Sequence, residues 1–353
     1  MKKIKICVIG CGNISITRHI PSIKKNKNIL LTGIISDNYT NIEKITNNTK
    51  IENLLVIDKK VDVYSQLKNS MWFNNDVDAV VIGTPPMDHY LMTKNCLLLG
   101  KHVLVEKPMM MEEDECIDVI NIAKEQHLII NVMHSFQFAN GIIKMEKYYN
   151  KGKLGKLNNI IEIQMTSRKR RLPIWYNELP LGLFYDEAAH FFYSAQRFGG
   201  DICVKNATAL YNNNENTPSI LQVQAIAGST PVQMTMNFDS PISEWFFILL
   251  CDKKLAIYDY FKDILILINN DNQHLPKDVF RVSRQYFLSF WMGFIRNGIN
   301  MIMGKLLYGH DLAINAFIES IITGVTNEKL SAELGMQVVR AMHDVINKVG
   351  KEK

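Results

Sequence analysis

Residues 4–15, IKICVIGCGNIS, join a short apolar strand pattern to a glycine-rich turn. The first six residues have the β-branched content of a buried strand, and two glycines follow at once. In a turn of this kind the first glycine permits the bend, and the second lets a phosphate approach the backbone. The helix that follows offers unpaired N–H groups and the positive end of its dipole. The stretch predicts a dinucleotide-binding turn, with the phosphates near Gly10, Gly12, Asn13 and Ile14.

The acidic residue that such a domain uses is present one strand later. Asp37 follows the strand candidate Leu30–Ser36, close to where a carboxylate would accept hydrogen bonds from the adenosine ribose. A carboxylate there repels a 2′-phosphate, so the sequence favours NAD over NADP. Two alternatives stay open. Residues 10–15, in which Ser15 replaces the third glycine, could form a plain strand–turn–helix corner, and Asp37 could serve only to form a turn.

The first third of the chain alternates strand and helix patterns, which is typical of a doubly wound α/β domain with a parallel sheet. Several strand candidates are continuous Val, Ile and Leu runs, as expected of strands buried on both faces. These candidates are Lys3–Ile9, Leu30–Ser36, Ala79–Gly83, Val103–Glu106 and Ile129–His134. We assign residues 1–135 to this Rossmann domain.

The pattern changes after Asn140. Strand candidates now follow one another, which predicts a large, mostly antiparallel sheet. One helix, Asp186–Phe198, is inserted among them, and helices fill the chain from Arg284 onward. The strand candidates are Asn159–Thr166, Val204–Tyr211, Leu221–Ala227, Val232–Asn237, Trp245–Leu250, Lys254–Asp259 and Ile264–Leu267. We therefore expect residues 136–353 to form an α+β domain for substrate binding and oligomerisation.

Composition limits the class and the location of the protein. The 353 residues, 47% hydrophobic and 21% charged, suffice for two ordinary domain cores. The net charge of +5, from 40 Lys+Arg against 35 Asp+Glu, is too small to indicate a nucleic-acid partner. The 6 cysteines form no CxxC pair, which argues against a metal site or disulfides and for a reducing compartment. The N-terminal apolar run is too short for a signal peptide, so we expect a cytoplasmic protein.

One segment calls for a test of membrane contact. Tyr286–Met303 is strongly apolar, but Arg296, Asn297 and Asn300 interrupt it. A spanning helix needs about 20 nearly uninterrupted apolar residues. The segment therefore predicts a buried or interface helix, with contact to a membrane surface as the alternative.

Three further motifs carry a specific resemblance. The stretches 82–89 (IGTPPMDH) and 100–108 (GKHVLVEKP) lie at strand ends, and Asp186 precedes His190 by four residues. Together with the glycine turn, and in this order, they resemble the Gfo/Idh/MocA family of oxidoreductases over nearly the whole chain. The resemblance implies a Rossmann domain followed by an α+β domain. It also implies transfer of hydride between a nicotinamide and a hydroxyl-bearing carbon.

In an open α/β sheet, ligands bind beyond the carboxyl ends of the strands, where the first two of these motifs lie. The resemblance implies that Lys107 precedes a cis bond to Pro108, faces the nicotinamide and handles the proton of the substrate hydroxyl. A solvated lysine at a strand end is the alternative. The other cofactor contacts expected in these two motifs are Thr84, Pro85, His89 and Glu106.

The Asp186…His190 pair is the candidate for the substrate side. The resemblance implies that His190 is a general base and that Asp186 holds a substrate hydroxyl or orients the base. Their spacing of four would place both on one face of the inserted helix. Ala188 stands where the family has a glycine. Because the helix is otherwise apolar, the alternative for His190 is a histidine satisfied within the core.

Three more residues are candidates for contact with the substrate. Gln137 stands where the family often has Arg or Asn, and it can still hydrogen-bond a hydroxyl. Arg168, in the run 168–171, could hold a substrate phosphate, and a solvated charged surface is the alternative. Trp175 follows this run on the approach to Asp186.

These residues predict an oxidoreductase that uses NAD, with NADP less favoured. Its substrate would be a ring hydroxyl or keto carbon of a sugar or cyclitol, free, phosphorylated or nucleotide-linked. The rival hypothesis is a non-catalytic dinucleotide-binding regulator of the same fold. Such relatives tend to lose the lysine and histidine that this chain retains. The resemblance further implies a homodimer or homotetramer formed through the sheet of the second domain, and we expect no metal.

Overall fold

The computed structural model describes residues 3–46, 51–167, 174–212, 215–271, 273–303 and 308–351. The chain forms two compact units. The first contains Met1–Ser135 and His310–Val339, and the second contains Phe136–Gly309 and Arg340–Lys353. The return of His310–Val339 to the first unit differs from our assignment of residues 136–353 to one domain.

The first unit contains a six-stranded sheet in which every strand pairing is parallel. Its strands are β1 (Ile4–Ile9), β2 (Ile29–Ser36), β3 (Asn53–Val56), β4 (Ala79–Ile82), β5 (His102–Val105) and β6 (Ile130–Val132). They lie in the order β3-β2-β1-β4-β5-β6, so the strand order reverses between β1 and β4. Ligands bind at such a reversal in doubly wound sheets. The predicted Rossmann fold is confirmed, and only β3 was not predicted.

Helices cover both units. They are α1 (Ile20–Lys25), α2 (Tyr39–Thr46), α3 (Val63–Asn69), α4 (Met71–Asp76), α5 (His89–Leu98), α6 (Glu113–Glu125), α7 (Asn140–Asn150), α8 (Leu183–Glu187), α9 (Ala189–Gly199), α10 (Pro276–Ile302), α11 (His310–Thr323) and α12 (Ala332–Lys351). Short π and 3₁₀ turns add Ser15–His19, Pro86–Asp88, Ser135–Phe138, Ile174–Glu178 and Glu328–Leu330.

The segment after Gly309 joins the first unit through specific contacts. Helix α11 packs against α1 and β5. The Asn131 side chain donates to the carbonyl of Leu330 at 3.2 Å, and Asn131 also forms a bridge with Ser331. An amphipathic helix pattern shows that a helix covers some apolar surface, but not which sheet it covers. This is why the sequence misplaced residues 310–339.

The second unit contains a seven-stranded sheet. Its strands are β7 (Leu157–Ser167), β8 (Ile202–Leu210), β9 (Ile220–Ala227), β10 (Thr230–Ser240), β11 (Glu244–Cys251), β12 (Lys254–Asp259) and β13 (Ile264–Asn269). Their order is β13-β12-β11-β7-β10-β9-β8, and all neighbours are antiparallel except β7 and β10. Helix α9 packs against β7, β8, β9 and β10. The predicted mostly antiparallel sheet is confirmed.

The inserted helix differs from the prediction of one element over residues 186–198. It is divided at Ala188, whose carbonyl accepts from the N–H groups of both Phe191 and Phe192, and which therefore begins a new helix. Asp186 lies in α8 and His190 in α9. The two residues thus belong to consecutive helices joined at Ala188, which keeps helical dihedral angles (φ −65°, ψ −26°).

A row of buried polar side chains lies on β7, on the face that also carries Ile160. Thr166 donates to the carboxylate of Glu187 at 3.2 Å, and Gln164 donates to the same oxygen. Glu162 is different, because neither of its carboxyl oxygens has a hydrogen-bond partner. Burial raises the pKa of Glu162 well above its ordinary value. Burial thus favours the protonated, neutral form of this side chain.

The apolar segment Tyr286–Met303 lies mainly in α10. Among the described residues of α10 only Asp278 and Asn297 are buried, so the segment is not a core helix of this chain, and the interface helix and the membrane contact stay predictions. In the described part of the chain, no helix, α10 included, is both long enough and apolar enough to cross a bilayer.

Candidate active site

The glycine turn follows β1 and packs closely against Gly83 and Thr84, which follow β4. Gly10 has a φ of +90°, and a Cβ there would lie 2.7 Å from the carbonyl carbon of Gly83. Gly12 is open, because the nearest atom to an added Cβ is the carbonyl oxygen of Gly83 at 3.9 Å. A helical turn then begins at Asn13, with the N–H of Ile16 donating to the Gly12 carbonyl at 3.2 Å. At Gly12 no side chain therefore blocks access to the backbone, and the chain leads from there directly into a helix N-terminus.

One buried hydroxyl lies at the same edge of the sheet without a partner. Thr84 follows β4, and its Oγ1 accepts and donates no hydrogen bond. Buried hydroxyls in proteins are normally paired, so an orphaned one marks a place for a ligand atom or water. Gly10, Gly12, Asn13 and Ile14 at the turn, with Thr84 beside them, therefore fit a phosphate-bearing dinucleotide.

Asp37 lies one strand away from the turn, immediately after β2, and is exposed. Lys59 pairs with Asp37 at 2.9 Å and with Asp88 at 2.8 Å. Partial burial lowers the pKa of Lys59, but its hydrogen bonds to Asp88 and Asp37 raise it by more. The predicted ribose-binding carboxylate therefore already has a cationic neighbour, which the sequence analysis did not identify.

His89 is fully buried and joins two strand ends. Its Nδ1 lies 2.8 Å from the carbonyl oxygen of Pro108, and its Nε2 lies 3.0 Å from that of Thr84. Burial lowers the pKa of His89, so the ring is neutral and donates to one carbonyl at a time. The structure thus places His89 as a support for Thr84 and Pro108, not as the direct cofactor contact that we predicted. Pro85, half-buried, follows Thr84 in the same loop.

Glu106 is held by two histidines that the sequence analysis did not single out. His19 Nε2–H donates to Glu106 at 2.8 Å, and His310 Nε2 lies 4.0 Å from the same oxygen. Burial raises the pKa of Glu106, but the hydrogen bond and charge of His19, with His310 and Lys107, lower it to about 2. Glu106 is thus a fixed carboxylate one residue before the candidate catalytic lysine.

The same three side chains are also the types that bind divalent transition metals. His19, Glu106 and His310 each offer one ligand atom, all within 4.8 Å of one another. Two ligands of a tetrahedral zinc lie about 3.3 Å apart, farther than the 2.8 Å between His19 and Glu106. The observed geometry is therefore that of a hydrogen-bonded cluster that fixes Glu106.

Lys107 is half-buried at the carboxyl edge of the first-unit sheet, two residues after β5 ends. Its peptide bond to Pro108 is cis, as the resemblance implied. Its backbone N–H donates to the carboxylate of Glu106 at 3.2 Å. The backbone position of Lys107 is thus fixed by the groups that surround Glu106.

His190 lies in the second unit among aromatic rings. Its Nδ1 lies 2.6 Å from the hydroxyl of Tyr193, and the Phe136 ring contacts it edge to face at 4.7 Å. Ser194 donates to the His190 carbonyl and accepts from the hydroxyl of Tyr260. The hydroxyl of Tyr193 can accept from Nδ1–H of His190 or donate to an unprotonated Nδ1, so this hydrogen bond couples the tautomer of His190 to Tyr193.

The remaining candidates of the second unit have different surroundings. Gln137 is buried, and its amide oxygen accepts from Arg197 at 2.6 Å. This contact explains its burial and occupies the oxygen that we expected to bind substrate. Asp186 and Trp175 are half-buried. Arg168 and the rest of the run 168–171 lie outside the described residues.

Comparison with known proteins agrees with this arrangement. Residues 4–134 match the model of a family described as an oxidoreductase family with an NAD-binding Rossmann fold, named Gfo/Idh/MocA. A 1-carboxy-3-chloro-3,4-dihydroxycyclohexa-1,5-diene dehydrogenase of Comamonas testosteroni is 32% identical over 124 residues, which cover 34% of this chain and 31% of that protein. The stretches shared with the first such relatives span only 24% to 50% of their length.

Two solved structures share the fold of the whole chain. A 3-ketoreductase from Actinomadura kijaniata, in complex with TDP-benzene and NADP, matches with a TM-score of 0.77 at 16% identity, over 98% of each chain. An oxidoreductase from Agrobacterium radiobacter, in complex with NAD⁺, L-tartaric acid and magnesium, matches with a TM-score of 0.78 at 10% identity, over 100% of this chain and 98% of that one. Identities this low establish the fold alone. The match over residues 4–134 shows that this part of the chain is similar to the NAD-binding Rossmann domain of the Gfo/Idh/MocA oxidoreductases.

Proposed function

We propose that this protein is an NAD-dependent oxidoreductase that interconverts a ring hydroxyl and a ketone on a sugar, a cyclitol or a phosphorylated or nucleotide-linked sugar. One observation carries the proposal. In the first unit, the open glycine turn, the unpartnered hydroxyl of Thr84 and Lys107 all lie at the carboxyl edge of one parallel sheet. That edge is where open α/β sheets bind dinucleotides.

The first unit would hold the cofactor. The N–H groups at the start of the helical turn after Gly12 and the Thr84 hydroxyl bind the phosphates, and Asp37 accepts from the adenosine ribose. When bound, the nicotinamide supplies the two-electron chemistry as an acceptor or donor of hydride. Lys107 donates a hydrogen bond to the reacting oxygen of the substrate and exchanges a proton with it.

In the second unit, His190 and Asp186 would contact the substrate. When Nδ1–H of His190 donates to the hydroxyl of Tyr193, the lone pair of His190 lies on Nε2. That nitrogen would then be the final acceptor of the substrate hydroxyl proton, which Lys107 would relay, as hydride leaves the carbon for the nicotinamide. We assign Asp186 to binding of a neighbouring hydroxyl. Trp175 and Arg168 remain proposed substrate contacts.

The nature of the substrate follows from the site chemistry and from the relatives together. Relatives include an enzyme named UDP-N-acetylglucosamine 3-dehydrogenase, from Acidithiobacillus ferrooxidans, and a scyllo-inositol 2-dehydrogenase from Bacillus subtilis. Both names describe oxidation at a ring carbon. A lysine and a histidine that exchange a hydroxyl proton suit this reaction.

The test follows reduced nicotinamide by absorbance while the purified protein and NAD meet free sugars, cyclitols, sugar phosphates and nucleotide sugars. Turnover on any member supports the oxidoreductase. Turnover only on phosphorylated or nucleotide-linked members would assign the run 168–171 to substrate binding. No turnover in either direction, with NAD bound tightly, would overturn the proposal and favour the dinucleotide-binding regulator.

Replacing Asp37 by alanine should lower kcat/KM for NAD by about 10- to 100-fold, the value of one or two hydrogen bonds to a charged group. The value for NADP should rise, because the positive charge of Lys59 remains beside the site while the repelling carboxylate is removed. Steady-state kinetics with both cofactors measure the change. Glu43→Ala, which removes an exposed carboxylate on α2, is the control. An unchanged NAD:NADP ratio would contradict the role of Asp37.

Replacing His190 by asparagine should lower kcat by about 10²- to 10⁴-fold, the usual contribution of a general base. Tyr193→Phe removes only the orienting hydrogen bond, so a loss of about 5- to 10-fold is expected, together with a shift of the pH profile of kcat/KM. Tyr185→Phe is the matched control, since Tyr185 is equally buried and its hydroxyl lies 3.3 Å from His343. Equal effects of the two tyrosine variants, without a pH shift, would indicate a structural role.

We also propose a homodimer or homotetramer through the second-unit sheet. On the face of β7 and β11 opposite α9, Ile161 lies across from Ile248 and Ile163 across from Phe246. All four are only half-buried. A contiguous apolar surface of this kind is typical of contacts between subunits. Light scattering of the purified protein measures the oligomeric state, and a monomer at all concentrations would contradict the proposal.

A further inference from the structure

Helix α10, the longest helix in the described part of the chain, directs its polar side chains toward the rest of the second unit. Arg281 on α10 donates to the carbonyl of Asn270 at 3.2 Å, and Gln285 accepts from the N–H of Asn269 at 3.1 Å. Asn297 donates to the carbonyls of Lys262 and Asp263 at 2.6 and 2.7 Å. Helix α10 therefore attaches beside β13 largely through polar side chains, with the small Gly293 against Ile264.

The apolar side chains of α10 are directed outward. Among the described residues of this helix, exposed apolar side chains between 40% and 89% accessible recur along its whole length. Six of them, Phe287, Leu288, Trp291, Phe294, Ile295 and Ile299, occupy an arc of about 140° at 3.6 residues per turn. A coiled-coil seam is narrower than this, whereas a helix half immersed in an apolar phase needs such an arc. The usual amphipathic arrangement of a surface helix is thus reversed.

The exposed charges on this helix have one sign. Lys277, Arg284 and Arg296 are exposed, while the single acidic residue of α10, Asp278, is buried and paired with Arg281. Lys277 and Arg284 lie on the same side of the helix as Phe287 and Trp291. A wide apolar arc that contains Trp291, and whose only exposed charges on the same side are the cations Lys277 and Arg284, is complementary to an anionic lipid surface.

We propose that α10 docks the protein on the surface of an anionic lipid bilayer, with the helix axis parallel to the membrane. At 1.5 Å per residue its 27 residues extend about 40 Å along the surface. The apolar side chains enter the acyl boundary, and the lysine and arginines remain at the headgroups. This inference does not depend on the proposed catalytic function.

The experiment uses the full chain and vesicles of phosphatidylcholine with about 30% phosphatidylglycerol, against vesicles of phosphatidylcholine alone. We expect flotation with the anionic vesicles at low salt, weakened by added salt and by the charge variant Lys277→Gln/Arg284→Gln. Phe287→Ser/Ile295→Ser should lower the partition coefficient at least about tenfold, because it removes two membrane-entering side chains. Met71→Ser, which changes an exposed methionine of the first unit, is the matched control.

Two further measurements show whether α10 itself contacts the vesicles and whether the variants remain folded. Binding should shift the tryptophan emission to the blue, and Trp291→Phe should lose this shift while it still floats. Circular dichroism should show that the variants keep their fold, since the replaced side chains are exposed. Absence of flotation with anionic vesicles at low salt would overturn the proposal. A second result would also overturn it: the protein self-associates, does not bind vesicles, and forms smaller assemblies when the serine substitutions are introduced. In that case α10 would be an interface between copies of the chain.

Discussion

Replacing Lys107 by methionine should lower kcat by about 10³-fold and leave the binding of NAD little changed. Methionine keeps the length and the apolar stem of lysine but cannot donate a hydrogen bond or exchange a proton. Proton transfer by a positioned side chain contributes about 10²- to 10⁴-fold to a rate. The groups expected to hold the cofactor phosphates, at the turn after Gly12 and at Thr84, are not touched by the substitution. Stopped-flow turnover and calorimetric titration with NAD measure the two quantities separately.

Two further variants distinguish chemistry from structure at this position. Lys107→Arg keeps a positive charge but does not release its proton near neutral pH, so we expect it to be nearly as inactive as the methionine variant. Lys124→Met, an exposed lysine of the same unit, should retain full activity. Loss of NAD binding in Lys107→Met would show that the lysine belongs to the cofactor site alone. Retained turnover would remove it from the mechanism.

The parts of the fold that the sequence predicted correctly are those with a strong local pattern. Most strands of the two sheets are apolar or alternating runs. The turn at Gly10 needs a positive φ, which favours glycine. Strand β3 escaped detection because it has only four residues, which alternate between half-buried and exposed. The division of the inserted helix at Ala188 also left no signal, because alanine is a good helix former and nothing in its type ends a helix.

The parts of the candidate site that the sequence did not predict depend on contacts distant in the chain. Glu106 and His19 are 87 residues apart, and His310 reaches the same carboxylate from α11. His19 follows Ser15 by four residues, so a helical wheel drawn on the turn would have placed it toward the sheet. No local signal identifies His310. Tyr193 lies one helical turn after His190, but nothing in a tyrosine on an aromatic-rich helix marks it as a partner of that histidine.

Glu162→Gln should make the protein more stable above pH 5 and remove part of its dependence on pH. The pKa of Glu162 lies well above its ordinary value of 4.5 in the native state, because the carboxyl is buried without a partner. Between pH 4.5 and that native pKa, the native state binds one proton more than the unfolded state. The free energy of unfolding therefore falls by about 1.4 kcal/mol for each unit of rising pH. Glutamine has nearly the same shape and carries no proton to lose.

The difference in unfolding free energy between the variant and the natural protein should thus grow as the pH rises from 5 toward the native pKa, by about 1.4 kcal/mol per pH unit. Urea titrations at pH 5, 6 and 7, followed through the buried Trp245 of the same unit, measure this difference. Histidines that titrate in the same range contribute equally to both proteins and cancel. Glu178→Gln, an exposed glutamate of the second unit, should give a curve parallel to that of the natural protein. Parallel curves for Glu162→Gln as well would show that the carboxyl ionises without cost, through solvent or a cation that reaches β7.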